Sequence, residues 1–158
     1  MIYQDNEVNT ILIVDDEPNN LKVLHNLLTE NGYIVRAARS GASAIETAQM
    51  DPPDLILLDI KMPQMDGYEA CQRLKGDPKT QDIPIIFISA LNQVDDIVSA
   101  FNVGGVDYIT KPFQFEEVIA RERTHLTIIR QQHKLRWQSA QLDKMIERNR
   151  NRFERTTD

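Results

Sequence analysis

The feature that most constrains this chain is a set of short, unbroken apolar runs, each closing on a polar residue that can do chemistry. Thr10–Ile11–Leu12–Ile13–Val14 stops at Asp15–Asp16. Asp54–Leu55–Ile56–Leu57–Leu58 stops at Asp59, and Ile83–Pro84–Ile85–Ile86–Phe87–Ile88 stops at Ser89. Runs of this length and composition read as strands buried on both faces, the signature of a parallel sheet covered by helices. Two weaker runs, Tyr33–Ala37 and Val106–Ile109, complete a set of five, and Lys111 follows the last.

Helical patterns fill the intervals. Pro18 stands at a helix start, where its missing N–H costs nothing. Leu21, Val23, Leu24, Leu27 and Leu28 give that helix an apolar face, and Asn31–Gly32 ends it. Ser40 caps a short helix over Ala42–Met50. Asp66–Gly76 and Gln93–Val103 are the next two, with Gly104–Gly105 as a stop. Strands alternating with helices imply right-handed βαβ crossovers. In such sheets the functional site lies at the carboxyl ends of the strands. Asp15, Asp16, Asp59, Ser89 and Lys111 would then share one crevice.

Three crowded carboxylates repel one another unless a cation compensates. An oxygen-only donor set suits a hard divalent ion such as Mg²⁺. A carboxylate can also attack phosphorus, and phosphoryl transfer needs positioning and charge neutralisation above all. Each residue alone has a plainer reading. Asp15–Asp16–Glu17 could cap a helix, Ser89 could be a cap, and Lys111 could be a solvated lysine. Their joint placement at successive strand ends favours the phosphoryl site.

The stretches IVDDEPNN, DLILLDIKMPQMDGYE, IIFISA and DYITKPF resemble the response-regulator receiver domains of two-component signalling. The resemblance covers roughly residues 9–120. It implies a flavodoxin-like (βα)₅ doubly wound parallel α/β sheet with strand order 2-1-3-4-5. It implies that Asp59 is the phosphoacceptor, with Asp16 and Asp59 ligating Mg²⁺ directly. Asp15 would act through a metal-bound water, and the backbone carbonyl of Lys61 would be a further ligand. Ser89 and Lys111 would contact the phosphoryl group, and Tyr108 would be the switch aromatic. The Lys111–Pro112 bond would be cis. Pro63 and Gly67 would shape the loop beside Asp59. The implied partner is a histidine kinase or phosphotransfer protein. The implied role is a switch rather than a turnover enzyme. The rival reading is a Mg²⁺-dependent phosphohydrolase of the haloacid-dehalogenase type. It would want Asp-x-Asp after the first strand, where this chain has adjacent Asp15–Asp16.

Charge and length divide the remainder. Residues 1–113 hold 17 acidic against 8 basic side chains, and residues 114–158 hold 7 against 10. An acidic body with a mildly basic tail is not the footprint of a nucleic-acid binder. No run approaches the ~20 apolar residues of a membrane span. The lone Cys71 permits no internal disulfide, which fits a cytoplasmic setting. The expected division is a polar lead-in over 1–9, a receiver domain over 10–125 and a helical extension over 126–158. Gln114–Phe153 contains no Gly or Pro. Its residues Ile128, Leu135, Leu142 and Asn149 recur every seven, with Gln132, Ser139, Ile146 and Phe153 four after each. That seam suits a homodimeric coiled coil; the plainer alternative is one solvated helix held by i,i+4 charge pairs. The stretch RTHL resembles the receiver–linker junctions of multidomain regulators, where an output or kinase domain follows; the resemblance leaves open whether such a domain belongs to this protein, and no output domain is visible in these residues.

Overall fold

Each apolar run forms a strand, and each interval forms a helix. The computed structural model describes residues 8–157; the expected lead-in over 1–9 lies mostly outside them. The strands are β1 Thr10–Val14, β2 Ile34–Ala38, β3 Leu55–Leu58, β4 Ile85–Ser89 and β5 Asp107–Thr110. The helices are α1 Pro18–Glu30, α2 Gly41–Met50, α3 Gly67–Lys75, α4 Val94–Asn102 and α5 Phe115–Thr156. All strand pairs are parallel, in the order β2-β1-β3-β4-β5. The chain order reverses between β1 and β3, so a crevice opens where their carboxyl ends diverge.

Alternation along the strands sorts the core into two layers. Leu12, Val14, Ile56, Leu58, Ile85 and Phe87 face one way and pack with Ala44, Ala48, Ala70, Cys71 and Leu74 of α2 and α3. Ile11, Ile13, Leu55, Leu57, Ile86, Ile88 and Ile109 face the other way and pack with α1 and with Val118 and Leu126 of α5. β3 is therefore apolar throughout, and β1 and β4 are apolar apart from Thr10 and Ser89 at their ends, because neither face meets water.

Several boundaries move from their sequence positions for local reasons. β2 starts at Ile34 rather than Tyr33, because Gly32 takes a left-handed φ of 90° and the chain straightens only after it. β4 starts at Ile85 rather than Ile83, since Pro84 has no N–H to give the ladder. Its carbonyl still accepts from Ile56 N at 3.0 Å. Val23, expected on the apolar face of α1, is exposed; Leu21, Leu24 and Leu28 form the buried stripe. Gln64, which no glycine or proline pattern singled out, adopts the left-handed φ of 69° in the loop before α3.

The chain falls into two units, one ending at Leu126 and the other beginning at Thr127. Leu126 is 4% exposed and belongs with the core, one residue past the sequence division. In the first unit, Asp107 of β5 ties down the start of α5. Its carboxylate accepts from Arg121 Nη1 at 3.0 and 3.1 Å and lies 3.0 Å from His125 Nε2. Burial alone would raise its pKa, but the Tyr108 N–H, His125 and Arg121 hold it below the usual range. In the second unit the residues remain helical to Thr156. Ile128, Leu135, Leu142, Met145, Ile146 and Phe153 are all exposed there. Among the described residues no helix is long and apolar enough to cross a membrane.

Glu122 is the anomaly of the core. It stands between Val118 and Leu126 on the buried stripe of α5 and is fully buried. The Tyr33 hydroxyl and Arg123 favour its charged form, yet neither carboxylate oxygen has a partner at good hydrogen-bonding geometry. Burial outweighs both neighbours and pushes the carboxyl up to about 7 from an ordinary 4.5. The folded protein therefore holds this proton more tightly than the unfolded chain does. Its stabilising effect is complete below pH 4.5, fades as pH rises through about 7, and is gone above that. At about 1.4 kcal/mol per pKa unit, the loss approaches roughly 3 kcal/mol. Glu122→Gln should leave stability near pH 4.5 almost unchanged and raise it at pH 8, as read by chemical denaturation. An equal effect at both pH values would contradict this reading.

Candidate functional site

The crevice at the β1–β3 switch point gathers its side chains from strand ends that the sheet holds in register. Asp15 and Asp16 follow β1, Asp59 follows β3, Ser89 ends β4, and Lys111 follows β5. One carboxylate oxygen from each of Asp15, Asp16 and Asp59 lies within 4.8 Å of the others. Asp15 and Asp59 are buried, and Asp16 is half-buried. Lys111 Nζ donates to Asp15 Oδ2 at 2.8 Å and lies 3.5 Å from Asp59 Oδ2. Asn20 of α1 donates to the same Asp15 oxygen at 3.2 Å, and the Glu17 N–H donates to Asp15 Oδ1 at 2.9 Å. The site pattern read from sequence did not include Asn20, because its role depends on the first turn of α1 facing the crevice.

Asp59 is fixed from three sides. Its N–H donates to the Val14 carbonyl at 2.9 Å, locking it beside β1. Its Oδ1 accepts the Ile60 N–H at 2.8 Å. Gly67 N donates to the Ile60 carbonyl at 2.8 Å, and a Cβ at Gly67 would collide with the Asp59 carbonyl oxygen. Glycine is needed there for close approach rather than for an unusual φ. Burial pushes the Asp59 carboxyl up to about 6; Lys111 opposes the rise, Asp15 adds to it, and the Ile60 N–H opposes it. A group in that condition is basic enough to be a competent oxygen nucleophile and is held in one orientation.

On the far side of the crevice, Ser89 Oγ accepts the Leu91 N–H at 3.2 Å. Tyr108 is 7% exposed and donates its hydroxyl to the Leu91 carbonyl at 2.6 Å, with its ring 6.5 Å from that of Phe87. Ser89 and Tyr108 thus grip one residue of the loop leading to α4, through opposite ends of its backbone unit. The Lys111–Pro112 peptide is cis. The Lys61 side chain is exposed next to Ile60. Beside Lys111, a groove of about 490 Å³ is lined by Asn20, Val23, Ala90, Pro112, Phe113 and Phe115.

Comparison with known proteins agrees with this geometry. Residues 11–123 match the response regulator receiver domain family. The chain is 42% identical over 116 residues to the DNA-binding dual master transcriptional regulator RpaA of Synechocystis, covering 73% of this chain and 48% of that protein. It spans about a quarter to a half of the length of the curated relatives it matches. Among solved structures, it resembles the signal receiver domain of a signal transduction histidine kinase from Syntrophus aciditrophicus. The identity there is 36% and the TM-score 0.71, over 75% of this chain and 90% of that one. It also resembles the receiver domain of a sensor histidine kinase from Pseudomonas aeruginosa with a magnesium ion coordinated in its active-site cleft. That match has 29% identity and a TM-score of 0.71, over 75% of this chain and 98% of that one.

Proposed function

The chain belongs to the response regulator receiver family of two-component signalling, and on that premise we propose that Asp59 accepts a phosphoryl group and that the Ser89–Tyr108 side of the crevice reports it. The observation that carries the proposal is the buried, basic Asp59 carboxylate held 3.5 Å from Lys111 at the meeting point of three acids. An Asp59 oxygen forms the new O–P bond as the P–N bond to a donor phosphohistidine breaks. The electron pair stays on the imidazole nitrogen, which takes up a proton. Lys111 supplies positive charge and N–H donors to the phosphoryl oxygens. The Ser89 hydroxyl exchanges its bond with the Leu91 N–H for one to a phosphoryl oxygen. The grip on Leu91 then depends on Tyr108, and the balance between two arrangements of the loop before α4 shifts.

Mg²⁺ fits the donor set: three carboxylates and the Lys61 backbone carbonyl are hard oxygen ligands. Asp16 and Asp59 would hold it directly, and Asp15 through a water. Bound there, it would neutralise the crowded acids and the charge on the transferring phosphoryl. The donor would be a histidine kinase or phosphotransfer protein, whose imidazole must reach Asp59. The groove beside Lys111 offers that protein an apolar shelf next to the reacting atom. The tail seam through Ile128, Leu135, Leu142 and Ile146 would pair two copies of the chain. The receiver would act in the cytoplasm as a switch, with turnover limited to its own phosphorylation and dephosphorylation.

Two measurements test these readings. With acetyl phosphate and Mg²⁺, intact-protein mass should rise by one phosphoryl group; omitting Mg²⁺ or substituting Asp59→Asn should abolish the gain. A gain that survives Asp59→Asn would contradict the assignment. By light scattering the chain should show twice its 18.2 kDa mass, and Leu135→Glu with Leu142→Glu should restore the single mass. A single mass for the unsubstituted chain at working concentration would contradict the pairing.

A further inference from the structure

Asn20 occupies a place where asparagine gains little as a helix former. It is the third residue of α1, behind Pro18 and Asn19. Asparagine ranks low inside helices and is favoured where its side chain can bond. The cap of α1 is already supplied by Glu17, whose carboxylate accepts the Asn19 N–H at 3.4 Å. Asn19 is exposed, whereas Asn20 is half-buried and turns its amide towards the crevice. Its Nδ2 donates to Asp15 Oδ2 at 3.2 Å, the same oxygen that takes the Lys111 ammonium at 2.8 Å.

An ionised carboxylate offers about four acceptor sites. In Asp15 three are taken: one on Oδ1 by the Glu17 N–H at 2.9 Å, and two on Oδ2 by Asn20 and Lys111. These donors are unequal. The Glu17 N–H is fixed by the backbone and Asn20 by the first turn of α1, whereas Lys111 is also drawn to Asp59 Oδ2, 3.5 Å away. Of the three, the lysine alone brings charge and is shared between two acids. A phosphoryl group on Asp59 would place new anionic oxygens beside Lys111 and draw it off Asp15. Asp15 is 2% exposed, so bulk water cannot replace the lost donor, and a buried acceptor left without a bond is costly. Asn20 keeps that oxygen bonded after the lysine has gone. Because the amide is neutral, it does not compete with a cation for the negative charge of the crevice.

We infer that Asn20 is a positioning residue for phosphoryl transfer: its amide holds the Asp15 carboxylate in place for the cation and lets Lys111 pass from Asp15 to the phosphoryl oxygens on Asp59. The inference rests on the phosphorylation reading above. Asn20 acts through Asp15, the group its amide bonds. Without that amide, Lys111 is the one side-chain donor left to Asp15, and the carboxylate turns towards it. The lysine is then retained on Asp15 when the phosphoryl group needs it. Asn20 also lines the groove beside Lys111, together with Ala90 and Phe113, so a leucine of similar shape can stand there without disturbing the core.

The full chain tests this as wild type, as Asn20→Leu, which keeps the shape and loses the donors, and as Asn20→Gln, which keeps an amide. Each is made with Lys111 intact and with Lys111→Met. Mg²⁺ affinity is read by calorimetry without phosphodonor. The rate of phosphoryl uptake from acetyl phosphate is read as intact-protein mass at saturating Mg²⁺. From the worth of one hydrogen bond to a charged group, Asn20→Leu should weaken Mg²⁺ binding about tenfold and, at saturation, slow uptake about fivefold. Asn20→Gln should return both towards wild type. With Lys111→Met there is no lysine to hand over, so the residual uptake rates with Asn20 and with Asn20→Leu should coincide, while Mg²⁺ binding is still weakened. Equal Mg²⁺ affinity in wild type and Asn20→Leu would overturn the hold on Asp15. Equal slowing with and without Lys111 would overturn the hand-over. Asn20→Gln no better than Asn20→Leu in either readout would overturn the role of the amide. Absence of any uptake by wild type would instead overturn the Asp59 reading, while the calorimetric comparison still decides the hold.

Discussion

The site depends on where β3 ends. Because β3 lies between β1 and β4 and is buried on both faces, its last peptide has no freedom: the Asp59 N–H is taken by Val14, and Gly67 closes on its carbonyl. The carboxylate that follows is delivered to one point beside Asp15 and Asp16. The sheet also brings Lys111 there from the far end of the β5 ladder, 96 residues away from Asp15 in sequence. Crowding three acids in a buried crevice is costly unless positive charge is at hand. Here one ammonium is shared by two of the acids. It lies closer to Asp15 than to Asp59, so the proposed nucleophile is the less fully neutralised of the pair. Burial pushes its carboxyl up to about 6; Lys111 opposes the rise and Asp15 adds to it.

A charge problem placed at the carboxyl edge of the sheet also has a mechanical reach. Ser89 and Tyr108 hold Leu91 by opposite ends, so whatever recruits the Ser89 hydroxyl changes the balance on that loop. The helix that follows has one buried residue, Ala100, with Ile97 half-buried against the core. A tightly packed α4 would resist small changes at the crevice, whereas one held by single hydrogen bonds can move between discrete arrangements. The same fold therefore combines a rigid proposed acceptor, pinned through Gly67, with a loosely held helix proposed to report on it.

Much of this was legible in the residues. Unbroken runs such as Thr10–Val14 and Leu55–Leu58 leave no alternative to doubly covered parallel strands, and their order places the acids and Lys111 on one edge. Short-range signals were read correctly where one residue type dominates: Ser40 accepts from Ser43 N as a cap, and Gly32 is left-handed. Local sequence misleads or is silent where tertiary contacts decide. Val23 has the spacing of a buried residue, yet the face of α1 that meets the sheet is set by Leu21, Leu24 and Leu28. Glu122 has the composition of a surface residue, yet it stands on the stripe that Val118 and Leu126 bury. Asn20 reaches Asp15 only because the first turn of α1 faces the crevice, which spacing alone does not encode. The left-handed Gln64 carries no local mark, because proline and glycine nearby are the usual markers of a tight turn.

The central claim is that one carboxylate among the three carries the phosphoryl group. Borohydride reduction addresses it at the level of the atom, because an acyl phosphate is reduced to the alcohol whereas a free carboxylate is untouched. Protein treated with acetyl phosphate and Mg²⁺, reduced, digested and sequenced by mass spectrometry should carry homoserine at position 59, with Asp15 and Asp16 intact. Homoserine at position 15 or 16, with position 59 unreacted, would contradict the account.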